Sequence, residues 1–265
     1  MATTFVPPNR SICDARPPDQ TGCCIKVPKT IVLDPDPEIY DQQLVFSTGG
    51  APTFNSPDID TVDIWPVRPI PAVEITARNL STTASAANTR IDISSSPWGI
   101  GMPKTAIASV FVNLARAGYP GAEQTISYPT PPSLLAGGVF GLFVNVVHPF
   151  DSDPYNNAGE QTLDGFQTST GRSHTFVVPV MNPTSSVATI ALTAGPSQVV
   201  PWTTIVPSSF TLAGGAQQNV MVTVDVPTSI PKSPPGTEIS AGVDVLATIN
   251  GAYLGGINIA ILFDA

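Results

Sequence analysis

Val73-Glu74-Ile75-Thr76-Ala77-Arg78 alternates apolar and polar residues without a break, and Asn79 ends the run. In an extended segment successive side chains point to opposite faces, so Val73, Ile75 and Ala77 share one face and Glu74, Thr76 and Arg78 the other. That is the pattern of a half-buried strand. A strand run ending in Asn recurs about 100 residues on, in Phe176-Val-Val-Pro-Val-Met-Asn182. Each copy continues through a small polar turn into a second strand, Asn88 to Ile93 and Ala188 to Thr193. Further on, Gly121-Ala-Glu-Gln-Thr-Ile-Ser-Tyr128 matches Gly215-Ala-Gln-Gln-Asn-Val-Met-Val222. A repeat of this period, with several short strands in each unit, describes two domain-sized β-sandwiches.

Outward from that repeat, β-branched runs alternate with turn clusters, as in an all-β chain. Gln43 to Ser47, Ala72 to Arg78, Thr89 to Ser94, Glu123 to Tyr128 and Val139 to Val147 read as strands. The last is apolar on both faces, which makes it a central strand. Thr105 to Gly118 fits two readings: Ile107, Val110, Phe111 and Leu114 keep helical spacing, while Ala108, Val110, Val112 and Leu114 keep strand spacing. The polar, Gly-containing stretch from Gly159 to His174 reads as a flexible boundary between the two units.

Met1 to Pro37 has neither periodicity. Pro7-Pro8 and Pro17-Pro18 fix φ and remove N–H donors, so it reads as an extended arm, in which Lys29 to Leu33 alone looks able to pair in a sheet. The organisation expected is an arm over 1–37, a sandwich over 38–165 and a second over 166–265. Asp34-Pro-Asp-Pro-Glu38 reads as a solvated linker.

Composition excludes several function classes. Of 265 residues, 42% are hydrophobic and 12% charged, with 29 Pro and 21 Gly, which argues against a helical bundle and against wholesale disorder. Eleven Lys and Arg against 20 Asp and Glu give a formal charge of −9, which repels a phosphate backbone and disfavours nucleic acid as a partner. The longest mostly apolar stretch, Leu134 to Val147, is Gly-interrupted and falls short of the roughly 20 residues that cross a bilayer, so no membrane span is expected. Met1 to Arg10 lacks the basic and apolar regions of a secretory signal. The expected settings are the cytoplasm as synthesised, a mature form, or export by a non-classical route into an assembly.

Chemistry-bearing residues are sparse. Cys13, Cys23 and Cys24 all precede residue 25, without zinc spacing and far in sequence from His148 and His174. They read as free thiols on the arm or, in an oxidising setting, as an interchain disulfide. Neither His lies beside a G-x-S-x-G elbow, and Gly137-Gly138 and Gly214-Gly215 look like hairpin turns rather than phosphate loops. No cofactor is expected. Asp151, Asp153, Asn156, Asn157 and Glu160 gather hard oxygen donors of the kind calcium takes, with Asp151, Asp153 and Asn156 as the candidate metal ligands. The competing reading is a turn whose Asx side chains bind their own backbone. Trp65, Trp98 and Trp202 each neighbour a proline; Trp98 and Trp202 fall at equivalent places in the repeat and read as packing residues, the alternative being a platform for carbohydrate.

The strand-Asn-turn units at Asn79 and Asn182, the stretch Gly214 to Pro227 and the acidic corner Asp151 to Asn157 resemble tandem bacterial immunoglobulin-like modules of the CARDB-related type. The resemblance covers about Asp58 to Leu262. It implies two immunoglobulin-like β-sandwiches that bind, space or assemble and are not catalytic. The arm, its cysteines and the missing secretory signal depart from that pattern. The function expected is therefore that of a non-enzymatic structural or interaction protein, a self-assembling subunit of a larger bacterial or phage-like structure whose partner is itself, through the arm. The alternatives are a carbohydrate- or ligand-binding accessory module and a hydrolase with an unrecognised site.

Overall fold

A computed structural model describes residues 34–60, 72–130, 140–168, 171–195, 202–228 and 240–263. Cys13, Cys23, Cys24, Trp65 and the Lys29 to Leu33 segment lie outside the described residues.

The alternating segment is β3 (Ala72–Asn79), with Val73, Ile75 and Ala77 buried. It is the middle of one sheet of the first sandwich. On one side it pairs with β1 (Pro37–Glu38) and β2 (Ile59–Asp60), on the other with β6 (Glu123–Pro129). The facing sheet holds β4 (Ala86–Pro97), β5 (Thr105–Leu114), β7 (Phe140–Val147) and β8 (Ala158–Thr168). As its two apolar faces require, β7 is central, between β4 and β8. Ile39, Ile75, Ile91, Ile93, Leu142 and Val144 lie in the core between these sheets.

In the second sandwich, β9 (Ser173–Met181), β11 (Thr203–Val206) and β13 (Gln217–Asp225) face β10 (Ala188–Ala194), β12 (Ser209–Leu212), β14 (Ser240–Ile249) and β15 (Ala252–Phe263). The described residues are thus almost entirely β, in two immunoglobulin-like sandwiches. Among the described residues no helix is long and apolar enough to cross a membrane.

Three sequence expectations change. Gln43 to Ser47 is not a strand but part of helix α1 (Gln42–Ser47). The Asp41 side chain caps it by accepting from Leu44 N at 2.8 Å, and the Gln42 amide is drawn inward by Glu160, whose backbone O and N it binds at 2.6 and 3.0 Å. Asp34 to Glu38 is not a solvated linker: Ser152 N donates to Pro35 O at 2.9 Å, Leu80 N to Asp36 O at 2.8 Å, and Asp36 N to Asn79 Oδ1 at 3.0 Å. The region from Gly159 is not a loose boundary but strand β8 as far as Thr168. Its first half pairs with β7, and residues 163–168 pair in parallel with β15 at 258–263. The two inner sheets therefore run on as one, in the order β12-β10-β14-β15-β8-β7-β4-β5. Gly159 serves close packing here, since a Cβ would stand 3.0 Å from Tyr40 O and 3.2 Å from Ile39 Cδ1. Thr105 to Leu114 takes the strand reading, with Ile107, Val110, Val112 and Leu114 packed on the core.

The connection after β4 clamps the second sandwich. Ile100 bridges to Val180, donating from N to Pro179 O and accepting at O from Met181 N, both at 2.9 Å. Its side chain is buried in the second core, with Trp98 packed beside it. Residues 53–56 complete the junction: Phe54 N donates to Asp244 Oδ1 at 2.8 Å, and Thr162 N to Phe54 O at 3.2 Å.

Candidate interaction edge

Edges of sheets carry unpaired N–H and C=O groups, and soluble proteins blunt them with charge, proline, brevity or cover. The edges found here mostly follow that rule. The β6 strand carries Glu123 and ends at Pro129; β11 and β12 have four residues each; β1 and β2 have two. The β9 strand contains Pro179 and is covered by the Ile100 bridge.

The exception is β5. It runs ten residues, Thr105-Ala-Ile-Ala-Ser-Val-Phe-Val-Asn-Leu114, without a charge, a proline or a glycine. It pairs on one side with β4 and ends the eight-stranded sheet, with no described strand on its other side. Every second residue of such a strand turns both backbone polar groups outward. Its C-terminal end is met by β6, where Gln124 Nε2 donates to Asn113 O at 2.5 Å. Residues 105–112 meet no other described strand on that side. Phe111 stands 65% exposed on the solvent face. Next to it a depression of about 570 Å³ opens along the β4–β5 hairpin, lined in part by Arg90, Asp92 and Ser109. Arg90 and Asp92 pair at 3.0 Å, and Ser109 Oγ donates to Asp92 at 2.5 Å.

The root of the arm lies at the corner of the first sandwich that Asn79 closes. Strands β1 and β6 flank β3 on opposite sides, so the arm enters across the sheet from β6. Strands β5 and β6 are neighbours at one corner and β1 lies over β7, while the Asn79 amide ties the arm root to the end of β5, accepting from Asp36 N at 3.0 Å and donating to Ala115 O at 3.0 Å.

The sequence-derived site residues sit elsewhere. Asp151 Oδ1 accepts from Asp153 N at 3.0 Å, Asp153 Oδ1 from Tyr155 N at 3.1 Å, and Asp151 Oδ2 from Asn157 Nδ2 at 2.6 Å. The first two are Asx turns, and the third ties the two ends of the corner together. Desolvation raises the pKa of Asp151, and the Asn157 hydrogen bond opposes the shift. Asn156 Nδ2 donates to Asp36 Oδ1 at 3.2 Å and so ties this corner to the arm root. Asn156 Oδ1 and Asn157 Oδ1 are buried without partners among the described residues, yet no three His, Cys, Asp or Glu groups there converge as metal ligands would. His148 closes its own turn, accepting from Phe150 N at 3.2 Å with Nε2 3.1 Å from Ala87 O. Trp98 and Trp202 are partly buried, and both pack on the second core.

Glu160, grouped with the acidic corner by sequence, belongs to the junction between the sandwiches. It accepts from Tyr253 OH at 2.8 Å and Gly256 N at 3.2 Å. Burial pushes its carboxyl up to about 7, and the Tyr253 hydrogen bond and the charge of Lys104 oppose the shift. Desolvation beside the same pair raises the Tyr253 phenol and lowers the Lys104 amine, whose Nζ lies 3.8 Å over Phe143. Sequence reasoning missed both the junction and the open edge. The signal for β5 was the absence of charge from a ten-residue run.

No protein-family model and no curated protein sequence matches the chain, so the CARDB resemblance does not reach the level of a family. Among solved structures, the chain is similar to the PapD-like domain 7 of human CEP192, with TM-score 0.27 and 12% identity over 38% of this chain and 80% of that one. It is similar to SSP-19, an MSP-domain protein like family member of Caenorhabditis elegans, with TM-score 0.24 and 10% identity over 37% and 92%. A third likeness is to the periplasmic chaperone SfaE, with TM-score 0.26 and 16% identity over 37% and 52%. At these scores nothing about function follows from the likeness.

Proposed function

We propose that this protein is a non-catalytic structural or interaction subunit that associates with copies of itself, using its N-terminal arm and the open edge of β5. The observation that carries the reading is that β5 alone, among the described edges, is long and unblunted. Left bare, such an edge is a template for unwanted pairing; its retention beside otherwise protected edges is accounted for by a partner strand. The arm supports the same reading, because it brings Phe5, Val6, Ile12, Ile25, Val27, Ile31, Val32 and Leu33 among its prolines. Burying an apolar side chain is worth roughly 1.5 to 3 kcal/mol, enough for a few of them to offset the ordering of a short segment. The packing of Trp98 and Trp202 on the second core favours the scaffold over a carbohydrate platform.

Removing residues 1–33 tests this reading, since the buried residues of both cores begin at Ile39. The shortened chain is expected to keep its β-sheet circular dichroism and to sediment as a monomer where the full chain self-associates. A full chain that is itself monomeric at high micromolar concentration would refute the proposal.

A further inference from the structure

The outer sheets of the two sandwiches are built alike and surfaced differently. Counting back from Asn79 and Asn182, and forward from Ala122 and Ala216, matches Arg78 and Glu123 to Met181 and Gln217, and Glu74 and Ser127 to Val177 and Met221. The register agrees, since Glu74 lies opposite Ser127 and Val177 opposite Met221. In the first sandwich these outward positions hold charge, with Arg78 Nε 2.9 Å from Glu123 Oε2. In the second they hold none. Val206 of β11 lies opposite Met221 on its other side, so Val177, Met221 and Val206 form one apolar row across the sheet, 54%, 50% and 50% exposed. The row beside it is Thr175, Thr223 and Thr204, the first two joined by a hydroxyl hydrogen bond of 2.9 Å. Asp225 is the one Asp, Glu, Lys or Arg in the three strands. A continuous apolar row in an uncharged face suits a contact better than a solvated sheet.

Charge and area together say what covers it. Residues 34–165 hold five basic against 14 acidic side chains, a net of −9, while residues 166–265 hold two against four, a net of −2. Two copies that meet through their second sandwiches keep the strongly acidic first sandwiches apart. A face that meets its own copy about a two-fold axis sets its central side chains against themselves, which charge at the centre would oppose. With strands about 4.8 Å apart and about 3.4 Å per residue, two strands of nine residues and one of four give a face of roughly 350 Å². A stable complex buries roughly 800 Å² per partner. The face is too small to hold a free partner, but it suits one already held nearby, because a tether raises the effective concentration to the millimolar range. A copy in the same arm-linked assembly is such a partner, and a chain lacking residues 1–33 is expected to remain monomeric despite the face.

We propose that the outer face of β9, β13 and β11 meets the same face of a second copy about a two-fold axis at Met221, as a secondary contact that reinforces arm-mediated association. The inference rests on the self-association reading above. Met221 is the fifth of nine residues in β13, and β13 is the middle strand, so the axis sets it against its own counterpart.

Sedimentation velocity on full-length chains under reducing conditions tests it. Val177→Lys with Met221→Lys is expected to weaken association on the order of tenfold or more, because the added charges face one another across the axis. Cross-linking reads the contact directly and decides the matter if the lysine variant melts below wild type. In a full-length chain with Cys13, Cys23 and Cys24 changed to Ser, Met221→Cys is expected to form a disulfide-linked pair on mild oxidation at an associating concentration. In the same background Thr189→Cys, exposed on β10 of the facing sheet, is expected to stay single. Wild type that never associates overturns the self-association reading and the face contact with it. Wild type that associates while a stably folded lysine variant matches it, or Met221→Cys that cross-links no faster than Thr189→Cys, leaves that reading standing and overturns the face contact.

Discussion

Asn79 and Asn182 hold the same corner in the two sandwiches with the same bonds. Each is buried, and each Nδ2 donates across its corner: Asn79 to Ala84 O and Ala115 O at 2.8 and 3.0 Å, Asn182 to Ser186 O and Leu212 O at 2.7 and 3.1 Å. Each Oδ1 accepts from the backbone N two residues on, Ser81 or Thr184, at 3.1 and 3.0 Å. Each backbone N donates to the Ala of the downstream match, Ala122 or Ala216, at 2.8 and 2.9 Å. The difference lies in the arm. Asn79 Oδ1 also accepts from Asp36 N, so one residue both closes the sandwich and fixes where the arm departs.

Asn182→Ala strands at least two buried carbonyls, each worth about 1–3 kcal/mol, so a loss of about 3 kcal/mol in denaturant unfolding is expected, with association unchanged. Asn79→Ala should cost a similar amount and weaken association as well. Equal association in the two variants would show that the root need not be fixed.

Gly256 lies against the ring of Phe54, where a Cβ would stand 2.1 Å from Phe54 Cε2 and 2.5 Å from Val245 O. Gly256→Ala must therefore push Phe54 out of the junction. A loss of about 3 kcal/mol is expected, with faster proteolysis within residues 159–168. In wild type the two sandwiches should melt together, as circular dichroism and Trp fluorescence would report. Two separate transitions in wild type would mean that the shared sheet does not couple them.

Glu160 gives the junction a pH dependence. Its folded pKa, about 7, lies above its ordinary value of 4.5, so the folded state binds the proton more tightly than the unfolded state. The stabilisation by this proton is complete below about pH 4.5 and disappears as pH rises through about 7, a change on the order of 3 kcal/mol. Glu160→Gln keeps the acceptor for Tyr253 and Gly256 and removes the titration. Stability of the variant relative to wild type should therefore rise between pH 5 and pH 8; parallel curves would contradict the assignment.

Millimolar calcium is expected to leave the melting temperature within about 1 °C of its value in chelator, because the oxygens of Asp151 and Asp153 already accept from backbone and Asn157. A rise of several degrees that vanishes in Asp153→Ala would instead assign the unpartnered Asn156 and Asn157 oxygens to a cation.

The legible parts of this fold are those that local periodicity encodes. Unbroken alternation marked β3, and the repeated Asn marked both corners, because a buried amide at a strand end needs the same neighbours each time. β5 was ambiguous because its register with β4 is irregular between Ile93 and Ser94, and Phe111 faces solvent, which breaks the apolar stripe. α1 is too short for a helical period to show. β8 looked like a boundary because its Gly, Gln and Thr residues suit a turn, while its pairing with β15 depends on residues almost 100 positions away. The Ile100 clamp and the Glu160 junction depend equally on distant partners.

Hydrogen exchange along β5 is the most direct measurement of strand addition. In wild-type protein at a concentration where it associates, alternate amides within residues 105–112 should be protected, and that protection should be lost on dilution and in Ile31→Asp with Leu33→Asp. If those amides exchange as fast in the associated protein as in the donor variant, the arm of a neighbour does not occupy β5, and the account fails at its centre.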